Sequence, residues 1–177
     1  KNGQYYMILG AQRLDETGTF IMYQSPDGVD WSFLGELTLK NFNQNLGYMW
    51  ECPDFAEIDG KDLLIFSPQG VEVQGEKYKN LFNVTYVIGK LDLDQLIFEV
   101  ESFDEFERGF DFYATQTFKG KENQTLLLAW AGLGEFEYPT DIFGWAHCLT
   151  FPREIRIKDN KVIQIPAKEL ELLRLNK

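Results

Sequence analysis

Short runs of apolar and β-branched residues, separated by tight polar turns, repeat along the whole chain. Apolar positions rarely recur at the spacing of three and four that marks an amphipathic helix. Only residues 167–175 suit a helix, and they suit a linker equally well. The strand-like runs lie at 5–12, 19–24, 31–39, 54–58, 63–67, 83–91, 96–103, 112–118, 125–131, 151–157 and 161–165. The pattern therefore predicts an all-β protein of ten or eleven short strands.

The turns between these runs have a physical basis in their residue types. Ser25-Pro26-Asp27-Gly28 is the clearest, because proline presets φ and glycine supplies a positive φ. Four-stranded groups recur, and serial antiparallel groups are typical of propeller blades or of a sandwich. At roughly 40–50 residues per blade, the chain accommodates three blades and part of a fourth. We expect part of a β-propeller at 1–165 and an exit linker at 166–177.

Composition narrows the classes of partner. The chain of 177 residues has a formal charge of −11, and 15% of its residues are aromatic. A strongly acidic surface repels phosphate backbones and anionic lipids, which disfavours nucleic-acid and membrane binding. No apolar run has the length needed to span a bilayer. The net charge says little more about the partners.

Cysteine and histidine are too scarce for a structural zinc site. The chain has two cysteines, Cys52 and Cys148, and one histidine, His147. The cysteines are far apart in sequence and lack the spacing of metal-binding pairs. We expect two reduced thiols, a histidine that makes structural hydrogen bonds, and no metal or cofactor.

Three segments bring acidic and aromatic side chains together, each after a longer break between strands. They are Trp50-Glu51-Cys52-Pro53-Asp54-Phe55, Phe110-Asp111-Phe112-Tyr113-Ala114-Thr115-Gln116 and Gly144-Trp145-Ala146-His147. Proline lacks an amide donor, so the first segment fits an edge strand, a strand start or a bulge. In a propeller, the innermost strands begin after such breaks and line the central channel. We expect the three segments to converge on one axis.

Strand alternation assigns the side chains of these segments to faces. In the first segment, Glu51 shares a face with Pro53, opposite Trp50, Cys52 and Asp54. In the second, one face has Asp111, Tyr113 and Thr115, and the other has Phe110, Phe112 and Ala114. Carboxylates accept hydrogen bonds from sugar hydroxyls, and indole faces such as Trp130 cover apolar C–H surfaces. The combination predicts a carbohydrate site.

These motifs resemble, in the same order, those of glycoside hydrolase family 32, especially its bacterial sucrose-6-phosphate hydrolases and invertases. The resemblance rests on the Trp-Glu-Cys-Pro segment, on Asp111-Phe112-Tyr113-Ala114, and on Gly144-Trp145-Ala146-His147 followed by Pro152-Arg153-Glu154. It implies a five-bladed propeller whose funnel binds a fructofuranoside, normally followed by a β-sandwich. It also implies an enzyme of the bacterial, cytoplasmic type, although an extracellular enzyme is also compatible with it. The implied substrate is a small sugar, either sucrose, sucrose 6-phosphate or a fructan, and no cofactor or metal is implied.

The resemblance assigns roles to particular residues. Glu51 corresponds to the general acid/base, and Cys52, Asp111, Tyr113 and Trp130 are implied to lie at the substrate site. Residues 67–70, Ser-Pro-Gln-Gly, are a weaker candidate for its rim. Where the family often has Asp-x-Gly before the second motif, this chain has 107–109, Glu-Arg-Gly, which leaves the role of that glutamate open.

Two family motifs have no counterpart in the chain. They hold the nucleophilic aspartate and the aspartate that stabilises the transition state. The resemblance therefore implies a segment without the first blade and without the nucleophile, whose missing blade and sandwich belong to the same parent chain. The intact parent is expected to be a retaining β-fructofuranosidase that cleaves sucrose or sucrose 6-phosphate.

Three other interpretations fit parts of this pattern. A propeller with the same lining binds sugar without turnover if the nucleophile is lacking. A related five-bladed arabinosidase or xylosidase has a similar architecture. The chain is also compatible with a piece that packs on another polypeptide.

Overall fold

The computed structural model describes residues 3–175, and strands dominate it. The twelve strands are β1 (Tyr5–Gln12), β2 (Gly18–Ser25), β3 (Ser32–Lys40), β4 (Met49–Ile58), β5 (Lys61–Gln69), β6 (Thr85–Asp92), β7 (Ile97–Glu105), β8 (Tyr113–Lys119), β9 (Thr125–Ala131), β10 (Cys148–Leu149), β11 (Arg153–Lys158) and β12 (Lys161–Pro166). Short 3-10 helices form at Lys121–Asn123, Asp141–Phe143 and Lys168–Leu173. The all-β prediction is confirmed.

Sequential antiparallel pairing divides the strands into three blade-like groups. The first is β1-β2-β3, the second is β4-β5-β6-β7, and the third is β8-β9-β11-β12, with the two-residue β10 also paired to β9. The serial arrangement confirms a partial propeller. The first group has three strands within the described residues, rather than the predicted four. The first and second groups also join at their outer strands, because β3 pairs in parallel with β7 from Thr38–Ile97 to Lys40–Glu99.

The first strands of the three groups lie side by side. Strand β4 contacts β1 on one side and β8 on the other. The approach of β1 is very close, since a Cβ on Gly10 would lie 1.7 Å from the carbonyl oxygen of Trp50. Only glycine fits there. The close approach fixes the position of the backbone that bears Glu51.

Two apolar clusters fill the spaces between neighbouring groups, and β5 contributes to both. Leu64 and Phe66 point into the cluster shared with the first group, whereas Leu63 and Ile65 point into the cluster shared with the third. All four side chains are fully buried. This alternation is that of a strand covered on both faces. The blades therefore pack face to face around the inner strands.

The segment after β12 begins in contact with the third group. Ala167 is buried, and its amide donates a 3.0 Å hydrogen bond to the carbonyl of Pro152. The 3-10 helix Lys168–Leu173 follows, where the sequence pattern allowed either a helix or a linker. The exit linker at 166–177 stays a prediction, and its last two residues lie outside the described range.

Candidate active site

A β-bulge in β4 sets the direction of Glu51. Glu51 pairs with Ser67 and Asp54 pairs with Ile65, so between these pairs two residues of β4 oppose one of β5. Cys52, inside the bulge, has a left-handed backbone with φ of 47°. The extra residue places Glu51 and Asp54 on one face, towards β8. The predicted alternation, with Asp54 opposite Glu51, is therefore wrong.

Strand β8 contains a matching bulge. Tyr113 pairs with Trp130 and Gln116 pairs with Leu128, and Ala114 between them has φ of 49°. Asp111, just before the strand, is also left-handed with φ of 55°. The predicted faces are therefore wrong here as well: Phe112 and Tyr113 are both buried in the core.

The two bulged strands bring Glu51 and Tyr113 into contact. The Tyr113 hydroxyl donates a 2.8 Å hydrogen bond to Oε2 of Glu51. Nε2 of Gln69, at the end of β5, donates to the same oxygen at 3.0 Å and lies 3.4 Å from the Tyr113 oxygen. Burial, together with the adjacent Glu51 carboxylate, raises the pKa of the Tyr113 phenol. Tyr113 thus stays protonated and acts as a donor to Glu51.

Cys52 is a half-buried free thiol beside this carboxylate, and Cys148 is free and exposed. Burial raises the pKa of the Cys52 thiol, and the negative charge of Glu51 adds to the effect. The prediction of two reduced thiols is confirmed. Protonated Cys52 forms a weakly polar wall next to Glu51 rather than a nucleophile.

Asp111 and Trp130 connect to the third motif rather than directly to Glu51. The Asp111 carboxylate accepts a 3.0 Å hydrogen bond from the Tyr138 hydroxyl. The His147 ring lies edge-on between Tyr138, at 4.6 Å, and Trp130, at 4.9 Å between ring centroids. Trp130 in turn faces Tyr113 across the β8–β9 ladder. The three predicted segments therefore form one continuous set of contacts.

Residues 1–166 match the family model described as the Glycosyl hydrolases family 32 N-terminal domain. The chain belongs to glycoside hydrolase family 32. The resemblance drawn from the three motifs is confirmed.

Curated members of family 32 cover nearly the whole chain. The sucrose-6-phosphate hydrolase of Staphylococcus xylosus is 42% identical over 99% of this chain and 35% of its own length. That of Bacillus subtilis is 38% identical over 98% of this chain and 37% of its own length. The chain thus spans little more than a third of these relatives.

Solved structures of family 32 have the same fold. The β-fructofuranosidase of Bombyx mori superposes with a TM-score of 0.90 at 34% identity, covering 99% of this chain and 37% of that one. The sucrose-6-phosphate hydrolase of Lactobacillus gasseri gives 0.88 at 32% identity, covering 99% and 36%. The superpositions place the three blade-like groups within a family 32 propeller.

Glu107, the family 32 position whose role the sequence left open, forms an ion pair. Arg153 bonds to its carboxylate, and the amides of Arg108 and Gly109 donate to its other oxygen. Burial opposes the charge, but these hydrogen bonds prevail and hold the pKa of Glu107 below its ordinary value. The Arg153 guanidinium lies 4.6 Å from the centre of the Phe112 ring. Glu107 therefore fixes the loop that leads to Asp111.

Sequence reasoning underestimated Gln69 and missed two further contributors, Asp54 and Phe82. Gln69 was placed only at the rim, whereas its amide contacts Glu51 directly. Asp54, on the same face as Glu51, accepts the backbone amide of Thr117, and Phe82 packs 5.2 Å from the Tyr113 ring. The amide side chain of Gln69, between a proline and a glycine, was the only signal at 67–70.

In the stretch from residue 3 to residue 175, no three Asp, Glu, His or Cys side chains are grouped so that they could hold a metal ion. A helix of sufficient length and apolarity to cross a membrane is likewise not found among these residues. The expectations of no metal and no cofactor stay predictions.

Proposed function

We propose that the intact parent of this chain is a retaining β-fructofuranosidase that hydrolyses sucrose or sucrose 6-phosphate. The observation that carries the proposal is the fixed carboxylate of Glu51, held by Tyr113 and Gln69 at an inner strand of a family 32 propeller. A mutant of the Bombyx mori relative has been solved in complex with sucrose. The relatives from Staphylococcus xylosus and Bacillus subtilis are named sucrose-6-phosphate hydrolases.

In the first half of the reaction, a carboxylate nucleophile attacks the anomeric carbon of fructose. Glu51 donates its proton to the departing glycosidic oxygen, so the glucose leaves as a neutral alcohol. In the second half, Glu51 takes a proton from water, which attacks the fructosyl ester and releases fructose. Two displacements at one carbon retain its configuration.

We assign the nucleophile to the part of the parent that this chain does not span. The side chains that bond to Glu51, those of Tyr113 and Gln69, have no carboxyl group. A retaining mechanism requires a second carboxyl group about 5–5.5 Å from the first. We also propose that a further blade and a β-sandwich of the same parent complete the domain. Cys52, Asp111 and Trp130 are proposed as substrate-site residues around Glu51.

We propose the cytoplasm as the compartment. A sugar phosphate is charged and does not cross a bilayer unaided, so one that is formed inside the cell stays there, where its hydrolase must act. The similarity to bacterial sucrose-6-phosphate hydrolases supports this choice.

The test is Glu51→Gln in the intact parent, assayed on sucrose and on a fructoside with an activated aryl leaving group. Sucrose cleavage should fall by roughly 10²–10⁴, because the glucose hydroxyl leaves poorly without a proton. The rate of the first step with the aryl fructoside should fall much less. Azide needs no deprotonation, so it should restore turnover of the fructosyl-enzyme.

Two outcomes contradict the proposal. If Glu51→Gln lowers the rate of sucrose hydrolysis by less than about tenfold, Glu51 is not the acid/base. Sugar binding with no hydrolysis by the unmodified parent would favour the non-catalytic propeller. The arabinosidase and xylosidase alternatives are tested with the matching aryl glycosides, which should be poor substrates.

A further inference from the structure

The two hydrogen bonds that Glu51 accepts from Tyr113 and Gln69 end on the same oxygen. The Tyr113 hydroxyl is 2.8 Å and the Gln69 Nε2 3.0 Å from Oε2. A carboxylate oxygen offers two lone-pair positions, and these two donors use both. A proton on Oε2 would have to displace one of the donors and leave its polar hydrogen without a partner. The geometry makes the two oxygens of Glu51 inequivalent.

The orientation of the Gln69 amide follows from its partners. A carboxylate only accepts hydrogen bonds, so the NH₂ group must face Glu51. The same nitrogen also lies 3.4 Å from the Tyr113 oxygen. On the other side, the Tyr48 hydroxyl donates to Oε1 of Gln69 at 3.3 Å. A flipped amide would lose all three contacts.

The backbone around Gln69 holds this side chain in place. The amide of Tyr48 donates a 2.9 Å hydrogen bond to the Gln69 carbonyl. A Cβ on Gly47 would lie 1.8 Å from that carbonyl oxygen, and a Cβ on Gly70 would lie 2.5 Å from the Tyr48 ring. Glycine at both positions lets Tyr48 and Gln69 approach each other.

We propose that Gln69 is a positioning residue that keeps Oε2 of Glu51 as a hydrogen-bond acceptor and so assigns proton transfer to Oε1. The inference rests on the proposed role of Glu51 as acid/base. In the first half-reaction the O–H bond at Oε1 breaks and the proton passes to the glycosidic oxygen. In the second, Oε1 takes a proton from water. Oε2 keeps both donors throughout, so the carboxyl group does not need to rotate between the two steps.

The test uses Gln69→Met in the intact parent, which keeps the side-chain length and removes the NH₂ donor. Loss of a donor disfavours the Glu51 anion. The basic limb of the pH profile of kcat/KM on sucrose should therefore move upward by about one pH unit.

A second readout concerns the protonated enzyme. In the Gln69→Met variant at pH values below that limb, some of the molecules with a protonated Glu51 carry the proton on Oε2. The kcat on sucrose should then fall on the order of tenfold, less than the roughly 10²–10⁴ lost with the acid itself. KM should stay within about twofold, and an activated aryl fructoside, which needs little protonation, should lose much less than sucrose.

Gln69→Glu is a near-isosteric second variant that keeps the test valid if the methionine variant folds poorly. It replaces the donor with a second carboxylate, which competes for the proton and repels the Glu51 anion. The basic limb of its pH profile of kcat/KM should move to a higher pH than that of the methionine variant. Gln95→Met is the matched control: Gln95 is exposed in the β6–β7 turn, so its profile should be unchanged.

The outcomes separate this inference from the proposed function. A wild-type basic limb in both Gln69 variants overturns the inference, as does an equal loss on sucrose and the aryl fructoside. If Glu51→Gln abolishes sucrose hydrolysis but either of these results is obtained with the Gln69 variants, the inference fails and the proposed function stands. If Glu51→Gln leaves sucrose hydrolysis intact, the proposed function fails, and the inference fails with it.

Discussion

Cys52 and Ala114 share one backbone conformation at equivalent places on neighbouring inner strands. Both are left-handed, with φ of 47° and 49°, and each follows the residue whose side chain enters the central contact, Glu51 or Tyr113. In each strand the extra residue shifts the following side chains to the other face. Paired bulges thus aim an acid and its donor at each other from two blades.

The conformation of Ala114 predicts the effect of a glycine there. A non-glycine residue in the left-handed region costs roughly 1 kcal/mol, which glycine avoids. Glycine loses about 0.5–1 kcal/mol through the greater entropy of the unfolded chain. Ala114→Gly should therefore leave the free energy of unfolding unchanged or raise it by up to about 0.5 kcal/mol, measured by urea denaturation of the intact parent.

Ala129→Gly is the matched control. Ala129 is buried in β9 and has no positive φ, so glycine there brings only its entropic loss and a missing methyl group. The unfolding free energy should fall by about 1 kcal/mol or more. Equal losses at 114 and 129 would contradict a left-handed Ala114.

The close approach of β1 to β4 predicts a severe effect at Gly10. In Gly10→Ala the new Cβ would meet the Trp50 carbonyl oxygen at 1.7 Å, and backbone cannot move aside cheaply. The unfolding free energy should fall by about 3 kcal/mol or more. Gly134→Ala should change it by less than about 0.5 kcal/mol, because nothing lies within 4 Å of that site. Similar thermal melts for both variants would contradict the contact.

The sequence predicted the strands well and singled out Glu51, because both depend on local signals. Turn residues and apolar runs mark the strands, and the Glu51 segment resembles a family motif over consecutive residues. A bulge in β4 was one of the alternatives that Pro53 suggested. The bulge in β8 and the left-handed residue of each bulge were missed, because cysteine and alanine do not signal a left-handed backbone as glycine or asparagine does. Gln69 was underrated because its contact with Tyr113 joins residues 44 positions apart.

The parallel pairing of β3 with β7 was missed for a related reason. It involves three residue pairs at the outer edges of two blades. No turn or motif links them, and edge pairing depends on how the blades pack. Local patterns identify the strands, whereas blade packing decides which edges meet.

The Arg153 contacts predict that lysine is a poor substitute. The guanidinium bonds to both Glu107 and Gln164 and lies over the Phe112 ring. Lysine has no planar fork and cannot make these contacts together. Arg153→Lys should lower the unfolding free energy by about 1–2 kcal/mol. Arg156→Lys, at an ion pair whose arginine side chain is exposed, should change it by about 0.5 kcal/mol or less. Equal effects in thermal denaturation would contradict this role.

The surroundings of Asp54 predict a pH-dependent effect of Asp54→Asn. Burial raises the pKa of this carboxyl above 3.8, although hydrogen bonds from Thr117 oppose the shift. Between pH 3.8 and the folded pKa, the folded state binds more protons than the unfolded state. The contribution of Asp54 to the free energy of unfolding is therefore fully present below that window and is lost as pH rises through it. Asparagine does not titrate and its oxygen still accepts the Thr117 amide.

The unfolding free energy of the Asp54→Asn variant, relative to wild type, should therefore rise from pH 3 to pH 7. Urea denaturation at both pH values measures this difference, in which the titrations of all other groups cancel. Asp54→Ala is the control, because it leaves the Thr117 amide without its acceptor and should lose about 1–3 kcal/mol at both pH values. An asparagine variant that becomes relatively less stable at pH 7 would show that hydrogen bonding outweighs burial at Asp54.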